Sequence, residues 1–301
     1  MLSRISTNAY YTNVITDYGK SQADLATLNQ QISSGKKATT FQGLHGSVER
    51  VNAFENKLKN TNQYIESNTL VGARLQVMGN AVDDVAKLAD DVLKLIMQSK
   101  GANAGQFSSF MSIMEANINQ VAAQLNTNIG GSYLFGGGKT ATPPVKVPVP
   151  DNAAIGIPDS RYYDGNDEVT TARVTDTLLL DYGIKASDDG FQKLFAAMKT
   201  AVEAYKTGNQ PLLEQALGLA NQATEGVNVI KSRINGNIVI LQDANTFHES
   251  TKAYVSGVYG EAVSTDTVAA SVELSINNSV LQASFQAFSR ITGLNLSDFL
   301  R

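Results

Sequence analysis

The stretch from Val263 to Phe299, VSTDTVAASVELSINNSVLQASFQAFSRITGLNLSDF, decides the fold. Its large apolar residues recur at three- and four-residue steps: Val268, Val272, Leu274, Leu281, Phe285, Phe288 and Ile291. That spacing predicts one stripe along a helix. Between Glu261 and Thr292 there is no Pro or Gly, and the remaining positions include small polar residues such as Ser271, Ser275, Asn278 and Ser284. Only Asp266, Glu273 and Arg290 carry charge between those bounds. A solitary surface helix would carry more, so this helix requires a partner.

The other end of the chain supplies one. Tyr11, Tyr18, Leu25 and Ile32 repeat every seven residues, and Val14, Ser21 and Leu28 lie three residues after the first three. This is an a/d seam with one polar d position. The first helix is expected from about Thr7 to Ile32, ended by Ser33-Ser34-Gly35, with Gly35 in a left-handed position.

Inward from both ends the helical period persists. A turn over Phe41 to Gly46 leads to a helical region from about Ser47 to Ser99. Val51, Leu58 and Ile65 form one seven-residue series there; Leu75, Val82, Ala89 and Ile96 form another. The two differ in phase by three, which predicts a change of buried face or a bend near Val71-Gly72. After a loop at Lys100 to Gly105, Phe107, Phe110, Met114, Ile118, Val121 and Leu125 mark a third helix, expected to end at Gly130-Gly131. Helical spacing resumes at Ser187 or Asp188, a suitable N-cap, with Phe191, Leu194, Phe195, Met198, Val202 and Tyr205 on one face. Gly208-Asn209-Gln210 breaks that helix and Pro211 opens the next. Ala220, Val227, Ile234 and Leu241 repeat every seven residues in it, and Gly257 and Gly260 are expected to separate it from the terminal helix.

Between these blocks the composition changes. Four of the six prolines lie between Pro143 and Pro150. Tyr133-Leu134-Phe135, Val169 to Val174 and Thr177 to Asp181 read as three short strands, with a turn at Asp164-Gly165. A segment this small has no large core of its own and needs a neighbouring surface. Residues 145–182 are nonetheless expected to be replaceable by a short linker. The fold class is therefore mainly α: a long-helix coiled-coil bundle formed by both chain ends, with a small β-rich insert in the middle. The expected domains are 1–44 with 261–301 (terminal, assembly), 45–132 with 186–260 (helical bundle), and 133–185 (outer insert).

Composition limits the chemistry. The chain has 301 residues, a net charge of −4 and no cysteine. There is no electrostatic case for nucleic acid or an anionic membrane, and disulfides and thiol chemistry are excluded. No run reaches the ~18 apolar residues of a membrane span, so no membrane insertion is expected, and the start lacks a signal-peptide pattern. Gly138-Lys139-Thr140 ends like a phosphate-binding loop. That loop needs Gly at position 133, where Tyr133 stands, and Pro143-Pro144 prevents the helix that must follow; the reading is a hinge. Asp164, Asn166 and Glu168 alternate like a calcium loop, but Val169 and Thr175 occupy its Gly and Glu positions; the reading is a turn. Asp83, Asp84, Asp90 and Asp91 read as a charged helix face, with Lys87 at ion-pair spacing. His45 and His248 are far apart in sequence and show no ligand spacing. No nucleophile elbow occurs. The expectation is no enzyme, no cofactor and no metal; a pocket among Tyr162, Tyr163 and Asp164 would be needed to reverse it.

Arg4-Ile5-Ser6-Thr7 and Leu28 to Lys37 (LNQQISSGKK) resemble the opening helix and Gly-ended break of the bacterial flagellin family. Leu281-Gln282-Ala283-Ser284-Phe285 and Gly293-Leu294-Asn295-Leu296-Ser297 are more similar to its hook-associated protein 3 branch. Tyr133 to Gly137, Tyr163-Asp164-Gly165 and Asp188 to Leu194 follow in the order of the hook–filament junction proteins. Gln42-Gly43-Leu44 departs from the acidic pair and Pro usual there. The resemblance implies an extracellular structural subunit of the flagellum, exported by the type III route without a cleaved signal. It implies as partners copies of itself, the neighbouring hook-associated junction protein, flagellin and an export chaperone. Leu25, Leu28, Ile32, Leu274, Leu281, Phe285 and Phe288 are the expected assembly residues. The alternatives are a short flagellin and a soluble coiled-coil interaction protein.

Overall fold

The structure is a computed structural model and describes residues 2–38, 48–99 and 107–298. Its elements, in chain order, are α1 (Leu2–Ser34), α2 (Val48–Ser99), α3 (Phe107–Leu125), β1 (Asn128–Ile129), β2 (Ser132–Tyr133), β3 (Thr171–Arg173), β4 (Leu179–Asp181), α4 (Asp189–Thr207), α5 (Gln210–Val263) and α6 (Thr267–Asp298). The fold is mainly α with a small β region, as the helical periodicity predicts. The turn expected over Phe41 to Gly46, the loop at Lys100 to Gly105 and His45 lie outside the described residues.

The chain divides into two compact units. One joins Met1–Asn60 to Thr251–Arg301; the other is Thr61–Ser250. In the second, α2, α3, α4 and α5 surround one core. Leu75, Val82, Ala89 and Ile96 of α2 meet Met114, Val121 and Leu125 of α3, Phe191, Leu194 and Phe195 of α4, and Ile234 and Leu241 of α5. Phe110 stacks on Tyr205 at 4.6 Å, joining α3 to α4. Where α4 meets α5 the backbones touch: a Cβ on Gly190 would lie 2.6 Å from the Gly226 carbonyl carbon.

Several boundaries differ from expectation. α2 is one continuous helix through Val71-Gly72. Its buried face runs in unbroken seven-residue steps over Thr61, Asn68, Leu75, Val82, Ala89 and Ile96. The apparent phase change arises because two of these seam positions are polar, so an apolar count skips them. Gly130-Gly131 is not a helix end. α3 stops at Leu125, and the two glycines, at φ 57° and 83°, form the turn of the β1–β2 hairpin; two positive φ values match the twist of the flanking strands. The β segments are two separate two-stranded hairpins, β1–β2 and β3–β4. Gly257 and Gly260 do not break α5, which continues to Val263. The break falls at Ser264–Asp266, where the Asp266 carboxylate accepts from the Val268 and Ala269 amides at 3.0 Å and caps α6.

The insert packs into the helical core. Val145, Val149, Tyr162, Val174 and Leu180 are buried in the same core as α3, α4 and α5. Tyr162 packs on Phe195 with ring centroids 4.4 Å apart, and its hydroxyl donates to the Ala186 carbonyl at 2.7 Å. Phe135 meets Phe191 edge-on at 6.4 Å. This packing speaks against replacing 145–182 by a linker: these side chains fill space that the helices leave open.

Candidate functional site

The terminal unit is built from the turn at Gly35 upward. α1 ends with Gly35 at φ 67°, its N–H donating to the Gln31 carbonyl at 2.8 Å. The following residues pair with the α5–α6 turn. The Lys37 N–H donates to the Val263 carbonyl at 2.7 Å, and the Thr265 N–H to the Gly35 carbonyl at 3.0 Å. Lys37 Nζ donates to the Glu261 and Ala262 carbonyls, both at 3.2 Å. A lysine at the last carbonyls of a helix satisfies groups that have no intrahelical partner and complements the helix dipole. Tyr259 donates to Glu55 Oε1 at 2.8 Å, which ties α5 to α2 within this unit; that hydrogen bond raises the Tyr259 pKa above the usual tyrosine range. The strap at Gly35–Lys37 sets α1 alongside α6, and the two helices pack together.

On α1, Leu28 is buried and Val14, Ser21, Leu25 and Ile32 are half-buried. On α6, Ala270 is buried and Leu274, Asn277, Leu281 and Phe288 are half-buried. These residues follow three- and four-residue steps, so each helix presents one seam. The single stripe expected on α6 resolves into two. Val268 and Phe285 are 72 % and 63 % exposed, and Val272, Ile276 and Val280 are exposed as well. Val272 and Leu274 lie two residues apart, about 200° around the helix, and cannot share a face. Between the two helices runs a groove of about 580 Å³, lined chiefly by Val14, Ile15 and Tyr18 of α1 and Val280, Leu281 and Phe285 of α6. Six of the expected assembly residues thus lie half-buried or buried in α1 and α6, and Phe285 stands exposed. The strap residues Lys37, Val263 and Thr265 were missed. The polar run Ser264-Thr265-Asp266 before an uninterrupted apolar period was the signal available for them.

The other candidates are occupied by the protein's own groups. Lys139 Nζ pairs with Asp164 Oδ2 at 3.0 Å and donates to the Asp164 carbonyl at 2.8 Å. This lysine, by hydrogen bond and charge, holds the Asp164 carboxyl below the usual range. Asn166 Oδ1 accepts from the Gly138 N–H at 2.6 Å, and Asn166 and Glu168 pack where side chains on Gly137 and Gly138 would stand. Tyr163 donates to the Asn166 carbonyl at 2.7 Å, and burial pushes its pKa up to about 12. Asp83 pairs with Lys231 at 2.9 Å, Asp84 with Lys87 at 2.9 Å and Asp91 with Lys94 at 3.2 Å. His248 is buried in the second unit. Among the described residues no group of His, Asp and Glu is arranged to hold a metal, and no helix is long and apolar enough to cross a membrane.

These features define a mainly helical protein whose chain ends pair and leave apolar surface open. Residues 5–140 match the family model for the bacterial flagellin N-terminal helical region. The fold is similar to that of solved flagellar hook-associated proteins. A flagellar hook-associated protein from Vibrio parahaemolyticus matches with a TM-score of 0.58 at 15 % identity, over 71 % of this chain and 96 % of that one. FlgL from Bacillus cereus matches with a TM-score of 0.55 at 15 % identity, over 68 % and 96 %. The flagellar junction protein FlgL from Legionella pneumophila matches with a TM-score of 0.54 at 10 % identity, over 70 % and 98 %. No curated protein matches by sequence.

Proposed function

We propose that this chain is a structural subunit of the bacterial flagellum that joins hook to filament by helical packing of its termini. The observation that carries the reading is the fold, which spans nearly the whole length of junction proteins such as that of Legionella pneumophila. The open apolar face of α6 supports it: Val268, Val272, Ile276, Val280 and Phe285 are exposed in the single chain, and an apolar surface of this extent calls for a neighbour. In this reading residues 1–44 with 261–301 are the assembly segments that pack into the tube wall, 45–132 with 186–260 form the helical bundle, and 133–185 are an insert packed into the core of that bundle. Phe285 supplies cohesion between subunits directly, and Leu25, Leu28, Ile32, Leu274, Leu281 and Phe288 contribute by holding α1 against α6. The partners are copies of the chain, the adjacent hook-associated junction protein on one side and flagellin on the other. An export chaperone holds the apolar ends before the chain leaves the cell by the flagellar type III route. The work is mechanical, with no catalytic step.

A tube lattice continues only where each new subunit meets a complementary end face, so two unlike lattices need an adaptor that matches both. A strain lacking the protein is expected to make bare hooks and release flagellin into the medium, read by immunoblot of the supernatant and electron microscopy of the cells. Normal attached filaments in that strain would overturn the adaptor role. They would favour a short flagellin, a reading for which the flagellin match over residues 5–140 speaks.

A further inference from the structure

Within Thr61–Ser250 the seam between α2 and α5 changes character toward its Thr61/Ser250 end. Its fully buried large apolar members on α2 begin at Leu75 and on α5 end at Leu241. Beyond them the buried positions are Thr61 and Asn68 on α2 and Ala244 and His248 on α5. Asn68 is 1 % exposed, and its Oδ1 is buried without a hydrogen-bond partner among the described residues. An apolar side chain there would extend the seam and carry no unpaired oxygen of its own. The asparagine instead uses its Nδ2, which donates to Asn245 Oδ1 at 3.0 Å and to the Val174 carbonyl at 3.2 Å. Val174 lies at the β3–β4 turn. The same carbonyl meets His248 Nε2 at 2.9 Å. A carbonyl only accepts, so Nε2 carries the proton. One backbone oxygen thus receives a donor from each helix.

The rest of the hairpin follows α5. Asn237 Nδ2 donates to the Asp181 carbonyl at 3.3 Å and Arg233 Nη2 to the Gly183 carbonyl at 2.9 Å. From Arg233 to His248 these points span about 22 Å of helix. Tyr64 stacks on His248 with centroids 5.2 Å apart and donates to Asp176 Oδ1 at 2.9 Å. The turn is firm in itself: Thr175 Oγ1 accepts from the Thr177 and Leu178 amides at 3.3 and 3.0 Å. Buried polar groups inserted in an apolar seam fix register at the expense of stability.

We propose that the β3–β4 hairpin is a register clamp: the Val174 carbonyl, held jointly by Asn68 and His248, locks α2 against α5 where their apolar seam has run out. When the hairpin lifts, residues 61–72 and 241–250 open with it as one cooperative unit. The test is amide hydrogen exchange on the full chain carrying either of two substitutions. Thr175→Ala loosens the turn without touching a helix, and Asn68→Ala removes the donor without adding an apolar contact to the seam. Each is expected to raise exchange over 61–72, 171–181 and 241–250 together, by about tenfold or more, with 110–125 and 191–204 unchanged. Faster exchange in 171–181 with both helical segments at the wild-type rate would make the hairpin a passenger and overturn the proposal. Unchanged exchange in all three segments for both variants would overturn it equally.

Discussion

Gly190 and Gly226 bring the backbones of α4 and α5 together, and nothing but hydrogen fits between them. A Cβ on Gly226 would lie 2.7 Å from the Gly190 Cα, which is backbone and has no rotamer to yield. In the middle of a helix Ala is otherwise favoured over Gly by about 1 kcal/mol. Overpacking costs roughly 1–3 kcal/mol and acts on both helices. The steric term wins, so Gly226→Ala is expected to lower the urea midpoint although it improves helix propensity. The sequence could not show this. The series Ala220, Val227, Ile234 marks the buried face, but a glycine beside it carries no sign of what approaches it. A second residue was legible in position and not in energetics. Asp188 is the N-cap of α4, yet its side chain makes no capping hydrogen bond. Burial raises its pKa, opposed by the charge of Arg233. A carboxyl whose folded pKa lies above its unfolded value binds more protons when folded, so stability falls as pH rises through that window. Asp188→Asn is therefore expected to stabilise the protein at neutral pH. The gain should fade as pH falls to the unfolded carboxyl range, where both forms are neutral. Thermal melts at several pH values check it; a gain that grows on acidification would reverse the assignment.

At the scale of elements, the long helices were legible because their apolar period repeats over many turns. The limits that failed did so for local reasons. Thr61 and Asn68 occupy seam positions without apolar side chains, Gly130-Gly131 serve a hairpin, and the α5–α6 break is a polar strap pairing with Gly35–Lys37. The insert misled most. Its prolines and short strands look like a detachable module, but burial is a tertiary property that a short irregular segment does not encode by period. Removing 145–182 would take Val145, Val149, Tyr162, Val174 and Leu180 out of the common core. At about 1.5–3 kcal/mol for each large side chain, the loss is roughly 8–15 kcal/mol. Whole domains are stable by only about 5–15 kcal/mol. A chain with a Gly/Ser bridge across 145–182 is expected to keep helical far-UV circular dichroism and lose its near-UV signal. Native-like near-UV signal and an unchanged melting temperature would show the helices to be self-sufficient.

For the whole molecule, the two units differ in how much they bury, and this decides the order in which they unfold. Thr61–Ser250 has a continuous core drawn from α2, α3, α4, α5 and the insert. In the terminal unit the described core around the strap is Val51 and Val263, and most of the α1/α6 seam is only half-buried. Fixing the 33 residues of α1 alone costs on the order of 33–66 kcal/mol of backbone entropy. A buried Leu or Phe contributes about 1.5–3 kcal/mol, and a half-buried one less. The balance for α1 and α6 is therefore poor in a lone chain and improves when neighbours cover Val268, Val272, Ile276, Val280 and Phe285. Limited proteolysis of the monomer is expected to trim both ends first and leave a fragment near 61–250. Incorporation into the flagellum should abolish the early cuts. Phe288→Asp sharpens the test, because Phe288 lies in the α1/α6 seam, where an unpaired carboxylate costs several kcal/mol on burial (about 2–7 for a polar group, more for a charge). The substituted monomer should give the same 61–250 fragment and the same melt of that core, and fail to enter flagella in a complemented strain. Wild-type incorporation of the variant would remove the α1/α6 seam from the assembly mechanism, and a monomer resistant at both ends would show that the terminal unit is stable without neighbours.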